Sequence, residues 1–500
     1  MRGFGRKYFR SVDAGRIIAL PSLLRTGLPI VILLFCAGFN FAYVTWVSPT
    51  WGYIGLVDKS PNRSLHLLGY ALALLLCTAS PKKIVRPSQV IYWFCFFCVY
   101  IPALFVPLYL QLENSVELLL LQLSMTGGML LMALSYRIPR LRVGTCPVES
   151  RLFWSVVGVV YIVANCALIY TFRDMMHLAS FGDVYSVRTP AKLVLSANPA
   201  ISYISQGLAT VLNPLLMGYG LAFRRRGLFL LGAMGEVLLY STGAAKQQLA
   251  SPIVVLLLYL SLKKDRGGWV SLAGLVFSGV FLVLTTLAVG AQPGPVFNMA
   301  FLVLVRIFTI PGAEMGHYQH FFQNMPHTYL AHVGIINWLI PNPYELSLGE
   351  EVSSFYGYTG KYGLTNSNAS FFAMDGIGGF GLLGILAMGF LCALVFWMLD
   401  SCARDYELKF SVPVLAMVIM SLTNVSLFTT LLGNDLIALM LLFLIMPRRV
   451  RTASGAAERF LVIAPVGAGL LPDGVAVDGR AGDEIYLSIP HGKPAGNFGR

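Results

Sequence analysis

The stretch RIFTIPGAEMGHYQHFF, residues 306 to 322, puts Arg306, Glu314, His317 and His320 into one short, turn-prone interval. A guanidinium fork takes two phosphate oxygens at once. A carboxylate or an imidazole can accept a proton from a hydroxyl near neutral pH. Together these are the groups needed to move a substituent from a phosphate-bearing donor to an alcohol. Asp375, Glu350 and Glu351 add carboxylates to the list, and Arg188 and Lys246 add cations. Four histidines fall within sixteen residues, and His317-x-x-His320 would share a helical face with a metal between them. No HExxH, no carboxylate at fixed spacing and no cysteine partner accompanies them, so no metal is expected. A solvated polar loop, or cations anchored at a membrane surface, is the plainer alternative for each residue taken singly.

What positions these groups is a membrane. The 500 residues are 56% hydrophobic and only 12% charged, with a mean hydropathy of +0.71, more apolar surface than a soluble core can hide. A span needs about 20 apolar residues. Candidate runs are 27–48, 64–80, 88–110, 116–135, 152–172, 201–223, 227–242, 249–262, 269–289, 377–399, 412–431 and 434–447. The expected fold is therefore all-α, a polytopic integral membrane protein of about 12 transmembrane helices over residues 1–447. The net charge of +13 would suggest nucleic acid in a soluble protein; here it marks the cytoplasmic side. All but eight of the 36 Lys and Arg fall in alternate loops and the two tails, and the eight are Lys59, Arg63, Arg173, Arg188, Lys192, Lys246, Arg306 and Lys361. Both termini are thus expected inside.

Parity then places residues 290–376 outside as one long extracytoplasmic segment. The apolar run Val296 to Val305 is too short to span, and 296–310 should form an interfacial or re-entrant helix. Pro311-Gly312 should turn the chain from it into a loop bearing Glu314, His317 and His320. Residues 448–500, rich in Gly and Ala without an apolar period, are expected to be a disordered cytoplasmic tail. The eight cysteines suggest no disulfide framework, and the CFFC at Cys95 and Cys98 reads as packing. DGIGGFG formally fits G-x-G-x-x-G at Gly376, Gly378 and Gly381, but no strand precedes it, so the glycines are expected to make a tight turn and a close helix contact. Glu236 lies well inside an apolar run, either as a proton-relay or substrate residue or as a hydrogen-bonded helix contact.

The order DVYSVR, GAAKQQLASPIVVLLLYL, RIFTIPGAEMGHYQHFF, HTYLAH, NPYELSLGEEVSSFYG and TNSNASFFAMDGIGGFGLLG resembles the Wzy-type oligosaccharide repeat-unit polymerases of bacterial O-antigen and capsule synthesis. The resemblance spans roughly residues 180 to 395. It implies an inner-membrane glycosyltransferase that polymerises undecaprenyl-diphosphate-linked repeat units at the periplasmic face without a cofactor. Arg188 and Arg306 match the arginines that hold diphosphates in such enzymes, and Lys246 stands where many relatives have another. Expected partners are the lipid-linked donor and acceptor, the bilayer, and a chain-length regulator and flippase; nucleic acid is not among them. The candidate catalytic groups are Glu314, His317, His320 and Asp375. An O-antigen ligase-like transferase shares the plan with a different acceptor, and a polysaccharide or lipid transporter is a third reading.

Overall fold

A computed structural model describes residues 27–144, 146–177, 184–243, 245–262, 268–360, 363–447, 476–480 and 485–488. Residues 1–448 and 449–500 form two separate units. The expected disordered tail lies outside the described residues except for Ala476–Arg480 and Ile485–Ser488, which pair as antiparallel strands. In the first unit the apolar runs become helices, as backbone surrounded by hydrocarbon must satisfy its own hydrogen bonds. Among the described residues eight helices are long and apolar enough to cross a membrane, by length and composition: Leu28–Ile54, Ser88–Leu110, Ser115–Ser135, Ser150–Phe172, Trp269–Ala288, Pro295–Asn324, Phe372–Cys402 and Leu427–Ile445. The runs expected at 64–80, 201–223, 227–242 and 249–262 are helical, over Arg63–Ala79, Pro199–Gly207 through Asn213–Ala222, Arg226–Gly243 and Lys246–Ser261, and lie outside the group of eight. The run expected at 412–431 is broken: helix stops at Ser421 and resumes at Leu427.

Contacts sort the loops into two ends. At one end Arg86 donates to the Ile138 carbonyl, Trp397 to that of Pro139, and the Val148 amide to Ile445, gathering the basic segments 80–88, 136–149 and 397–409. At the other, Tyr43 stacks on Tyr109 with centroids 4.5 Å apart and Trp46 donates to the Ala288 carbonyl. This second end carries residues 52–62, 110–117 and 288–295.

Helix Pro295–Asn324 corrects the expectation for its region. The short run 296–305 does not stand alone, and Pro311-Gly312 makes no turn into a loop; the helix continues to Asn324. The reason is the wide turn before it. Residues Phe301–Thr309 are wound as π-helix, with the Ile310 amide bonded to the Val305 carbonyl and the Thr309 hydroxyl to that of Leu304 at 2.7 Å. A proline ring clashes with the carbonyl four residues back in an α-helix, and the wider winding moves that carbonyl aside. Gly312 then permits a close crossing, since a Cβ there would stand 2.6 Å from the Pro102 backbone. Both ends of this helix lie at the same end of the bundle. Phe297 meets Trp46 and Phe301 meets Trp51 near its start; towards its finish Gly316 lies on Pro107 and His320 on Glu113. Between them Phe308 dips into a cluster with Phe35, Phe277 and Phe281.

The glycines of DGIGGFG act as expected. Helix Phe372–Cys402 reverses at Phe380 and Gly381, the latter at φ +63, so 372–379 folds back on the start of 382–402. The two arms touch where Gly384 meets the Gly376 carbonyl, leaving no space for a Cβ. Gly384→Ala must push one backbone off another, and overpacking of this kind costs about 1–3 kcal/mol. A lowered thermal midpoint is expected for Gly384→Ala. Gly279→Ala, where a Cβ meets nothing within 4 Å, is expected to leave the midpoint in place.

Candidate functional site

The helix that continues through Pro311 fixes where its polar residues point. Glu314 and His317, one turn apart, are buried on its inner face, with Glu314 Oε2 3.6 Å from His317 Nδ1. Neither atom has a hydrogen-bond partner, and 3.6 Å is too long for one. The 348–358 segment covers them. Its helix Leu348–Phe355 starts with a capping box in which Ser347 and Glu350 satisfy each other's orphaned groups, so Glu350 is engaged structurally, and Glu351 likewise accepts from the Leu346 amide. The helix ends at Tyr356, whose ring lies 4.7 Å from that of His317 and whose hydroxyl donates to the His317 carbonyl. Tyr358 stacks on Tyr356 at 5.5 Å and sets its hydroxyl 3.3 Å from His317 Nε2. Burial, and secondarily the nearby Glu314 charge, push the Tyr358 phenol up to about 12. It stays protonated at neutral pH and can donate to Nε2, which leaves the His317 proton on Nδ1, facing Glu314. Gly55, at φ +91, lies where any side chain would strike the Tyr358 hydroxyl, so the 52–62 loop closes over the site.

One turn further on, His320 Nδ1 lies 2.8 Å from Glu113 Oε1, and the imidazole is partly exposed. Glu113 also lines a cavity of about 360 Å³ with Ser60, Asn62, Arg63, Gln111 and Asn114. The structure thus sets Glu314, His317 and His320 along one helix, places Arg63 on the same cavity as Glu113, and adds one group the sequence reading missed, Glu113 itself. Glu113 sits in LENS between two spans, 207 residues from the histidine it meets.

Asp375 is elsewhere. It is fully buried in the 372–379 arm; Oδ1 accepts from Ser426 at 2.6 Å and faces His332 Nε2 at 3.0 Å, and Oδ2 accepts from the Leu427 amide at 2.6 Å. His332 Nδ1 in turn lies 2.9 Å from the Thr328 hydroxyl. Both carboxylate oxygens are therefore occupied by protein, at the break in the 408–445 run.

Arg306 is exposed, on a strip with Met299, Leu302 and Ile307, its guanidinium 5.7 Å from the Phe301 ring centroid. It precedes Glu314 by eight residues, within the π-wound stretch that leads to the cleft arm. Lys246 is exposed and opens helix Lys246–Ser261, which packs on Arg226–Gly243 and Leu408–Val414. Arg188 lies in helix Val184–Ala197, with its side chain outside the described residues. Glu236 is fully buried, its Oε1 3.4 Å from the Ser251 hydroxyl and its Oε2 unpartnered. Among the described residues no three His, Cys, Asp or Glu gather as a metal-binding group. Comparison with protein-family models, with curated proteins and with solved structures gave no match.

Proposed function

We propose that this protein is a membrane glycosyltransferase that polymerises oligosaccharide repeat units carried on undecaprenyl diphosphate, with the cleft end of the bundle at the periplasmic face of the bacterial inner membrane, both termini cytoplasmic and about 12 crossings in all. The observation that carries the reading is the Glu314–His317 pair, buried under two tyrosines with His320 and Glu113 at its edge, at the bundle end opposite the basic segments. Attack by a sugar hydroxyl needs a base, and a departing lipid diphosphate needs cations. Glu314 serves as the base, His317 orients it, and the His320–Glu113 pair binds acceptor hydroxyls beside the aromatic platform of Tyr356. Arg306 meets the donor diphosphate from the bilayer side, about two helical turns before the cleft, with Arg188 and Lys246 as further cations. A chain-length regulator and a flippase are the protein partners this reading implies.

Deleting the gene is expected to leave surface glycan as single repeat units while precursor synthesis and ligation continue. Polymer of normal length retained on its lipid carrier would instead identify a ligase, and precursors trapped on the cytoplasmic face a flippase. Arg306→Ala is expected to abolish polymer without loss of protein from the membrane, and Arg306→Lys to restore little, because an ammonium lacks the planar fork. Full-length polymer from the lysine variant at normal expression removes the diphosphate from Arg306.

A further inference from the structure

We infer that residues 334–341 insert into the lipid interface of the membrane at the cleft end of the bundle, as a wedge beside the span 382–402. The segment GIINWLIP exposes Trp338 at 87%, Leu339 at 71% and Ile335 at 67%. From Met325 to Tyr344 the sequence contains no Asp, Glu, Lys or Arg. A loop standing in water would carry charge around such side chains, and large contiguous apolar patches on soluble surfaces are uncommon.

The occupant follows from what the patch adjoins. Tyr329, itself exposed, sets its ring 6.0 Å from that of Phe380 at the hairpin tip. Just beyond the tip Leu383 is 76% exposed, and Phe390, Leu394 and Met398 continue the same face down the span. An exposed apolar stripe on a membrane helix is covered by acyl chains, and the loop patch extends that stripe at its end. Its composition suits the boundary layer: aliphatic side chains and one asparagine stand beside an indole with an apolar body and one N–H donor, and tryptophan is a residue type enriched at membrane–water interfaces. Tyr344 ties the loop to the site, its ring 5.7 Å from Phe321, which in turn meets Phe355 beside His320. The wedge holds the cleft mouth at headgroup level. The inference rests on the patch alone and does not depend on glycosyl transfer.

The test uses the full chain in lipid nanodiscs with Cys146 and Cys166 replaced by serine. An environment-sensitive fluorophore is attached at Trp338→Cys, Leu339→Cys or, as the aqueous control, Glu345→Cys. Nitroxide carried on shallow acyl positions is expected to quench the labels at 338 and 339 more than twofold over that at 345, and aqueous iodide to show the reverse order. A second measurement avoids the label: brominated lipid is expected to quench less tryptophan emission in Trp338→Phe than in the parent. Labels at 338 and 339 quenched by iodide as strongly as that at 345, with no lipid effect, overturn the insertion and leave the patch to a protein partner.

Discussion

Glu314→Gln is expected to lower polymer formation by about 10²- to 10⁴-fold, the contribution of a positioned general base, with the protein still folded in the membrane. The argument begins with a cost. Buried polar atoms are nearly always hydrogen-bonded, yet Glu314 Oε2 and His317 Nδ1 face each other unbonded at 3.6 Å. Folding alone gains nothing from that arrangement, because a leucine and a phenylalanine would fill the space without the desolvation penalty. Catalytic hydrogen bonds are often long before substrate binds and tighten in the complex. Tyr358 completes the set: it is held neutral by burial and Glu314, it fixes the His317 tautomer through Nε2, and the remaining N–H can steady the carboxylate. Tyr358→Phe should therefore cost far less than Glu314→Gln, about tenfold, since it loosens the imidazole without removing the base. Glutamine at 314 preserves shape and removes the negative charge and, with it, the base. Lipid-linked glycan length in membranes carrying equal amounts of each variant is the readout, and unchanged chain length in Glu314→Gln refutes the assignment of the base.

Much of this site was legible in the sequence for a physical reason: charge and apolar length are local properties. The basic segments that mark one end, the carboxylate and imidazoles following Arg306, and the turn within DGIGGFG all follow from residue type and spacing. Pro311-Gly312 was misread because its ordinary meaning is a turn. What keeps it helical is a bond from Ile310 to Val305, one residue longer than usual, and no residue type announces such winding. Partners distant in sequence were invisible for another reason. Glu113 meets His320 and Asp375 meets Ser426 only because separate helices pack. The break at 422–426 did leave a trace, the polar Thr423-Asn424 and Ser426 in an apolar run, which length counting passed over. Asp375 looked like a loop carboxylate, and only the return of the 372–379 arm against Gly384 encloses it.

That enclosure makes Asp375→Ala the substitution with the largest expected effect on stability. Asp375 joins three segments: its own arm, the resumed helix at Ser426 and Leu427, and, through His332, the turn at 328–333. This turn is strained, with Tyr329 at φ +49 and Leu330 at φ +67, a region that costs a non-glycine residue of order 1–3 kcal/mol. It is held by the Thr328 amide and hydroxyl, both donating to the Gly378 carbonyl, and by the His332–Asp375 contact. Alanine leaves the Ser426 hydroxyl, the Leu427 amide and His332 Nε2 facing a void, and leaving a buried donor or acceptor unsatisfied costs about 1–3 kcal/mol. No solvent reaches this carboxylate, so screening does not reduce the figure. Asp375→Asn keeps one oxygen to accept from Leu427 or Ser426 and should recover part of the loss. His332→Ala breaks a single contact and should cost less than Asp375→Ala, while the double variant should cost less than the two singles added. Thermal unfolding in nanodiscs gives the ranking, and proteolysis reports the turn, where cleavage between 325 and 347 should accelerate in Asp375→Ala. An alanine variant as stable as the parent, with that loop equally protected, shows that the three segments are held by their apolar packing and not by the carboxylate.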